Sequence, residues 1–180
     1  MFDWNVIISV YDEGYRRAVH FLEKFGPVRK TEFFNVLAMK VDDLPTLLET
    51  LRERQEQDPD LFENVISRLI PLTATFVFQT PIEFEARAKE IVSQWLPSLA
   101  TKSFHVRMHR RDLDGRLSSH NEERFLGRFL LQRLEESGTP GVITFEDPDA
   151  IIALETLGQQ AGLALWLRED LQRYPFLKLD

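Results

Sequence analysis

Lys102-Ser103-Phe104-His105-Val106-Arg107-Met108-His109-Arg110-Arg111 alternates apolar and polar side chains strictly from Phe104 to His109. A period of two is that of a strand, so Phe104, Val106 and Met108 share one face and His105, Arg107 and His109 the other. The polar face continues into Arg110-Arg111. His105 and His109 have the spacing of a zinc-binding helix, but on a strand they stand about 13 Å apart, at roughly 3.3 Å per residue. One ion cannot bridge that distance, and no glutamate follows the first histidine as such a motif requires. No metal site is expected here.

Downstream, Ser119-His120-Asn121-Glu122 has the form of a capping box. It predicts a helix that buries Phe125, Phe129, Leu130 and Leu134 and ends near Gly138. On that helix His120, Arg124, Arg128 and Gln132 recur every four residues and form one stripe. Residues 142–145, 151–157 and 163–167 read as strands, with 158–162 as the hairpin connection between the last two. Upstream, 72–79 reads as a strand. Thr80-Pro81-Ile82-Glu83 is a second capping box with proline at the first helical position. Its helix presents Phe84, Ala88, Ile91, Val92 and Trp95 and stops before Pro97.

The first 70 residues read as β-α-β-α. Residues 6–10 are an apolar run, followed by a helix with Tyr15, Ala18, Val19, Leu22 and Phe25 on one face and Gly26-Pro27 at its end. Residues 33–41 are strand-like, and a helix striped with Leu44, Leu47, Leu48 and Leu51 begins near Asp43. Asp58-Pro59 predicts a further short helix carrying Leu61, Phe62, Val65 and Ile66. This order is compatible with a small ferredoxin-like subdomain over 1–70, followed by a second α/β domain over 71–180.

The 180 residues hold no cysteine, which excludes disulfides, thiolate metal sites and cysteine nucleophiles. There is no nucleophile elbow, phosphate-binding loop or dinucleotide fingerprint. No apolar run approaches the roughly 18 residues of a membrane span, and nothing resembles a signal peptide. A cytoplasmic protein without cofactor or catalytic residues is therefore expected. The acidic pair around Asp147-Pro148-Asp149 repeats the tripeptide Asp58-Pro59-Asp60, which points to turn and cap chemistry rather than to magnesium.

The net charge is −7, yet its distribution is uneven. Residues 102–133 carry eight cations against four anions, and the remainder 14 against 25. Within the basic segment neither Arg124 nor Arg128 has an acid three or four positions away, so the stripe needs an anion from elsewhere. Acids of the same fold could provide it. An RNA backbone is the other source. An acidic protein partner is a third reading of the same strip.

The basic strand resembles that of a THUMP domain, the RNA-binding module of tRNA-modifying enzymes. The resemblance continues through Glu123-Arg124-Phe125-Leu126-Gly127, through Phe145-Glu146-Asp147-Pro148-Asp149-Ala150-Ile151-Ile152-Ala153-Leu154-Glu155 and into Ala161-Gly162-Leu163-Ala164-Leu165-Trp166-Leu167. It covers roughly 68–180, and the first 70 residues have the size of the ferredoxin-like domain that often precedes the module. The resemblance implies binding of tRNA, with the acceptor region as the contact. Family members commonly attach the module to a thiouridine synthetase, methyltransferase, deaminase or pseudouridine synthase domain. Since Asp180 follows the last strand by thirteen residues, the expectation is a stand-alone, non-catalytic adaptor, like the one for tRNA cytidine acetylation, serving a separate tRNA-modifying enzyme. The RNA-facing set expected is Lys102, His105, Arg107, His109, Arg110, Arg111, Arg124 and Arg128. Arginine and lysine would meet phosphates and the histidines exposed bases.

Overall fold

The computed structural model describes residues 2–112 and 116–180, so the middle of the loop expected over 112–118 lies outside the described residues. The chain is mixed α/β, as expected, with two sheets. It divides into two compact units, Met1–Pro71 with Asp170–Lys178, and Leu72–Glu169 with Leu179–Asp180.

In the first unit, strands β1 (Val6–Val10), β2 (Val28–Lys30), β3 (Val36–Met39) and β4 (Ile66–Pro71) form a sheet of order β2-β3-β1-β4. All its pairings are antiparallel. Helix α1 (Tyr15–Leu22) follows β1 and α2 (Leu44–Gln57) follows β3, giving β-α-β-β-α-β, a split βαβ arrangement. β1 lies between β3 and β4, and the burial of Val6, Ile7 and Ile8 in succession shows that both of its faces are covered. The Asp43 carboxylate caps α2, accepting from the Thr46 amide at 3.0 Å. Glycine is required at position 26, because a Cβ there would lie 1.9 Å from the Lys40 carbonyl oxygen.

Two of these strands are absent from the β-α-β-α reading. β2 is a three-residue edge strand whose arginine and lysine are exposed, so it carries no apolar signal. Ahead of β4, Leu61–Val65 forms one wide π-type turn, and the chain then straightens to pair Ile66 with Val10. Ladder bonds to β1 override the helical spacing of Leu61, Phe62, Val65 and Ile66. A further correction concerns Asp170–Lys178, which the sequence reading assigned to the second domain with the rest of 71–180. Specific contacts bind it to the first unit. Arg173 Nε and Tyr174 Oη donate to Glu49 Oε1 at 2.7 and 2.6 Å, and Phe176 stacks on Phe62 with ring centroids 5.0 Å apart. The hydrogen bond from Arg173, helped by that from Tyr174, holds the Glu49 carboxyl down at about 2.

In the second unit, β5 (Ala74–Val77), β6 (Ser103–His109), β7 (Val142–Ile143), β8 (Ala150–Leu157) and β9 (Gln160–Leu167) form a sheet of order β5-β9-β8-β6-β7. β6 runs parallel to both neighbours, while β8 and β9 form an antiparallel hairpin. The hairpin turns at Gly158-Gln159, with Gly158 at φ +59, where a side chain would be strained. Helices α3 (Pro81–Ser93), α4 (Leu96–Leu99) and α5 (Ser119–Glu136) precede β6 and β7, and α6 (Arg168–Arg173) follows β9. Phe84 and Val92 of α3 and Leu126, Leu130 and Leu134 of α5 join Phe104 of β6 in one buried cluster. Phe125 and Phe129, expected in that core, are half-buried beside it, because Leu126 takes the inward position.

The cap expected ahead of α3 forms: Thr80 Oγ1 accepts from the Glu83 amide at 3.1 Å. The one ahead of α5 is shifted by one residue. Ser118, not Ser119, caps α5, accepting from the Asn121 amide at 3.3 Å. Glu122 therefore sits one position beyond the box and turns inward, where it is 5% exposed. Burial first, then the charge of Glu85 on α3, pushes its carboxyl up to about 7.

Candidate nucleic-acid interface

β7 is only two residues long and covers β6 only at Ser103 and Phe104. Beyond that pairing no strand of the described residues lies beside the edge of β6. At Met108 the edge amide instead donates to Glu123 Oε1 of α5, at 3.0 Å. The gap between this open edge, the end of β7 and α5 is a groove of about 270 Å³. Val106, Leu131 and Ile143 give it apolar surface, and Arg107, His120, Arg124 and Arg128 bring nitrogen groups to it. Phe145 stands at its side with 63% of its surface exposed, its ring centroid 5.2 Å from that of His105.

Arg124 and Arg128 are exposed and make no hydrogen bond or ion pair with any described residue. They lie one helical turn apart, as the stripe in the sequence indicates. A second, shallower hollow adjoins the same pair on the side of α3, where Lys89 lies over the Phe125 and Phe129 rings at 5.9 and 5.5 Å. Two like charges on successive turns repel by a few tenths of a kcal/mol, so the helix carries this pair without compensation from its own fold.

The rest of the expected RNA-facing set behaves differently. His105 is 1% exposed. Its Nδ1 lies 2.9 Å from the Thr144 carbonyl oxygen and its Nε2 2.9 Å from Asp180 Oδ1. Arg107 Nε donates to the same Asp180 oxygen at 2.8 Å, and His109 Nε2 lies 3.0 Å from the Leu179 carbonyl oxygen. Asp180 and the Leu179 carbonyl thus occupy a ring nitrogen of each histidine, with His105 buried and His109 half-buried, so the pair does not form an open base-stacking face. Burial pushes the Asp180 carboxyl up, but the hydrogen bonds from Arg107 and His105 outweigh it and hold the group below its ordinary value.

Arg111 is also turned inward. Its Nη1 donates to Glu155 Oε2 at 2.6 Å, in a pair whose side chains are 14% and 0% exposed. Internal pairing is therefore correct for Arg111 and in part for Arg107, while Arg124 and Arg128 remain outward. Arg110 Nη1 reaches the Asp112 carbonyl at 3.1 Å. Lys102 is half-buried just before β6, where its backbone carbonyl accepts from the Val142 amide at 3.1 Å. Neither Lys102 nor Arg110 lines the groove. Asp149, read as turn and cap chemistry, accepts from the Ser103 amide at 2.9 Å and from Arg168 at 3.1 Å, tying the starts of β6 and β8. Among the described residues no three His, Asp or Glu side chains are grouped to hold a metal ion, and no helix is long and apolar enough to cross a membrane.

Sequence reasoning missed Phe145 and Ile143 as groove components and Asp180 as the partner of His105 and Arg107. An aromatic just before Glu146-Asp147-Pro148 was the available signal for the first. Nothing local marks the last, which meets Arg107 across 73 positions.

No family model matches the chain, and no curated protein does. The fold itself is shared. The structure of PH1313 from Pyrococcus horikoshii Ot3 superposes with a TM-score of 0.58 at 13% identity, over 90% of this chain and 54% of that one. That of TrmN from Thermus thermophilus gives 0.57 at 15%, over 89% and 44%. A 4-thiouridine synthetase solved as an RNA complex with bound ATP gives 0.55 at 15%, over 91% and 41%. The chain spans about half the length of these structures or less. At such identities the likeness establishes the fold.

Proposed function

We propose that this chain binds tRNA through the groove between β6 and α5, as a THUMP-like module that presents the RNA to a separate tRNA-modifying enzyme. The observation that carries the reading is the exposed Arg124–Arg128 pair, unpartnered among the described residues and set beside an exposed phenylalanine. Arginines held apart from internal acids attract phosphate oxygens in bidentate geometry, and an aromatic face accepts an unstacked base. The fold it shares with a synthetase solved in complex with RNA supports the same reading. The groove brings together three arginines, two histidines, Glu123 and apolar surface, and its cations and apolar surface suit recognition and holding of RNA. In the adaptor role proposed here the chain would raise the local concentration of tRNA at a catalytic unit.

The test is tRNA binding across a salt series, with Arg124→Gln/Arg128→Gln as the variant. Three arginines line the groove, so log affinity should fall against log salt with a slope of about −2 to −3, at roughly 0.7 to 0.9 per phosphate neutralised. The double variant should lose most of that slope while its stability changes by less than about 0.5 kcal/mol per site. Salt-independent binding, or a double variant that binds as the parent does, refutes the reading. The same protein given unmodified tRNA and common donors should return no modified nucleoside by mass spectrometry, and a modification made by the chain alone would overturn the adaptor role.

A further inference from the structure

We propose that Asp180 is a positioning residue of the groove, a carboxylate that sets the Arg107 guanidinium for an RNA phosphate; this rests on the RNA-binding reading above. One oxygen, Oδ1, bridges Arg107 Nε at 2.8 Å and His105 Nε2 at 2.9 Å. Both partners line the groove, and Asp180 does not. The carboxylate therefore holds its partners from behind and leaves the space in front of them open.

The hydrogen bonds of His105 specify its part in this arrangement. Its two ring nitrogens face a carbonyl oxygen and a carboxylate oxygen, both of which only accept. Asp180 is thus an anion that one oxygen ties both to the Arg107 guanidinium and to the His105 ring. The Leu179 residue that precedes it is 3% exposed, and its carbonyl oxygen lies 3.0 Å from His109 Nε2. The carboxylate thus hangs from an anchored backbone.

Arg107 is fixed through the edge of its fork at Nε. A planar guanidinium held at one edge has its remaining N–H donors set in direction. Its terminal nitrogens are only loosely engaged, with Nη1 4.0 Å from Glu123 Oε1. An arginine restrained in this way does not lose its side-chain freedom on binding, which is the general advantage of preorganisation. The sequence gap of 73 positions means that this restraint is purely tertiary.

The sign of one substitution separates this role from its alternatives. Asp180→Asn removes a negative charge beside the groove, so electrostatics alone predicts tighter RNA binding. Positioning predicts weaker binding, by about tenfold, which is the scale of one charge-assisted hydrogen bond. The experiment measures tRNA affinity of the full chain by fluorescence anisotropy at several salt concentrations, for Asp180→Asn, Asp180→Glu, Arg107→Lys, Arg107→Gln and the Asp180→Asn/Arg107→Gln double variant. The expected results are a loss in Asp180→Asn, recovery in Asp180→Glu, and a loss in Arg107→Lys, which keeps the charge without the fork. In the double variant the loss should be no greater than in Arg107→Gln alone. Unchanged or tighter binding by Asp180→Asn, while Arg124→Gln/Arg128→Gln still weakens it, overturns the positioning role and leaves the RNA-binding reading intact. Additive losses in the double variant also overturn it. No tRNA binding by the parent chain overturns both.

Discussion

Replacing Arg111 with glutamine should unfold the protein's second unit more readily without abolishing its RNA affinity, although Arg111 belongs to the most basic run in the chain. Its side chain is 14% exposed and pairs at 2.6 Å with that of Glu155, which is fully buried. Opposite charges near 4 Å attract by about 4 kcal/mol at an effective dielectric constant near 20. Removing Arg111 takes from the buried Glu155 carboxylate its ion pair, and breaking a buried pair costs about 3–5 kcal/mol. In a protein of this size each kcal/mol moves the melting temperature by about 2–4 °C. The expected fall is therefore about 6–20 °C, read by circular dichroism. Adding Glu155→Gln should recover part of it, because both members of the buried pair are then neutral. Affinity for tRNA, measured well below the melt, should stay within about threefold of the parent, since Arg111 does not line the groove. A melting temperature lowered by less than about 2 °C, together with a large loss of affinity, would refute the internal assignment.

Two further outcomes depend on titrating groups. Glu122 is pushed up to about 7 by burial and by Glu85, so the folded chain holds a proton there that the unfolded chain releases at lower pH. Stability at this site is accordingly full below the ordinary glutamate range and falls as the pH rises towards 7; Glu122→Gln should abolish the drop in denaturant midpoint between pH 5 and 8, and an unchanged drop would count against a buried carboxyl. Glu49, held at about 2 by Arg173 and Tyr174, contributes stability above the ordinary glutamate range and loses it as the pH falls towards 2. Glu49→Gln should release Asp170–Lys178 to faster proteolysis and hydrogen exchange at neutral pH, and protection equal to the parent's would show that Phe176 alone anchors the segment.

Much of the second unit is legible along the chain. The alternation over 104–109 specifies β6, the four-residue recurrence specifies the face of α5, and Thr80 and Glu83 mark the start of α3, because these signals are local and depend on period alone. The exposed Arg124–Arg128 pair belongs to this group, since helix geometry settles which residues share a face. The one-residue shift of the α5 cap from Ser119 to Ser118 already exceeds local information, as both serines can accept the bond and core packing chooses between them.

The sequence by itself determined the α/β class, the basic character of 102–133 and the outward stripe of α5. Only the tertiary structure decided which cations are free. Arg111 is neutralised by Glu155 across 44 positions and Arg107 is held by Asp180 across 73. The groove exists because β7 stops after two residues. The physical reason is the same in each case. Periodicity fixes the direction in which a side chain leaves the backbone, but a charge is satisfied or left open by whichever distant segment folds against that face.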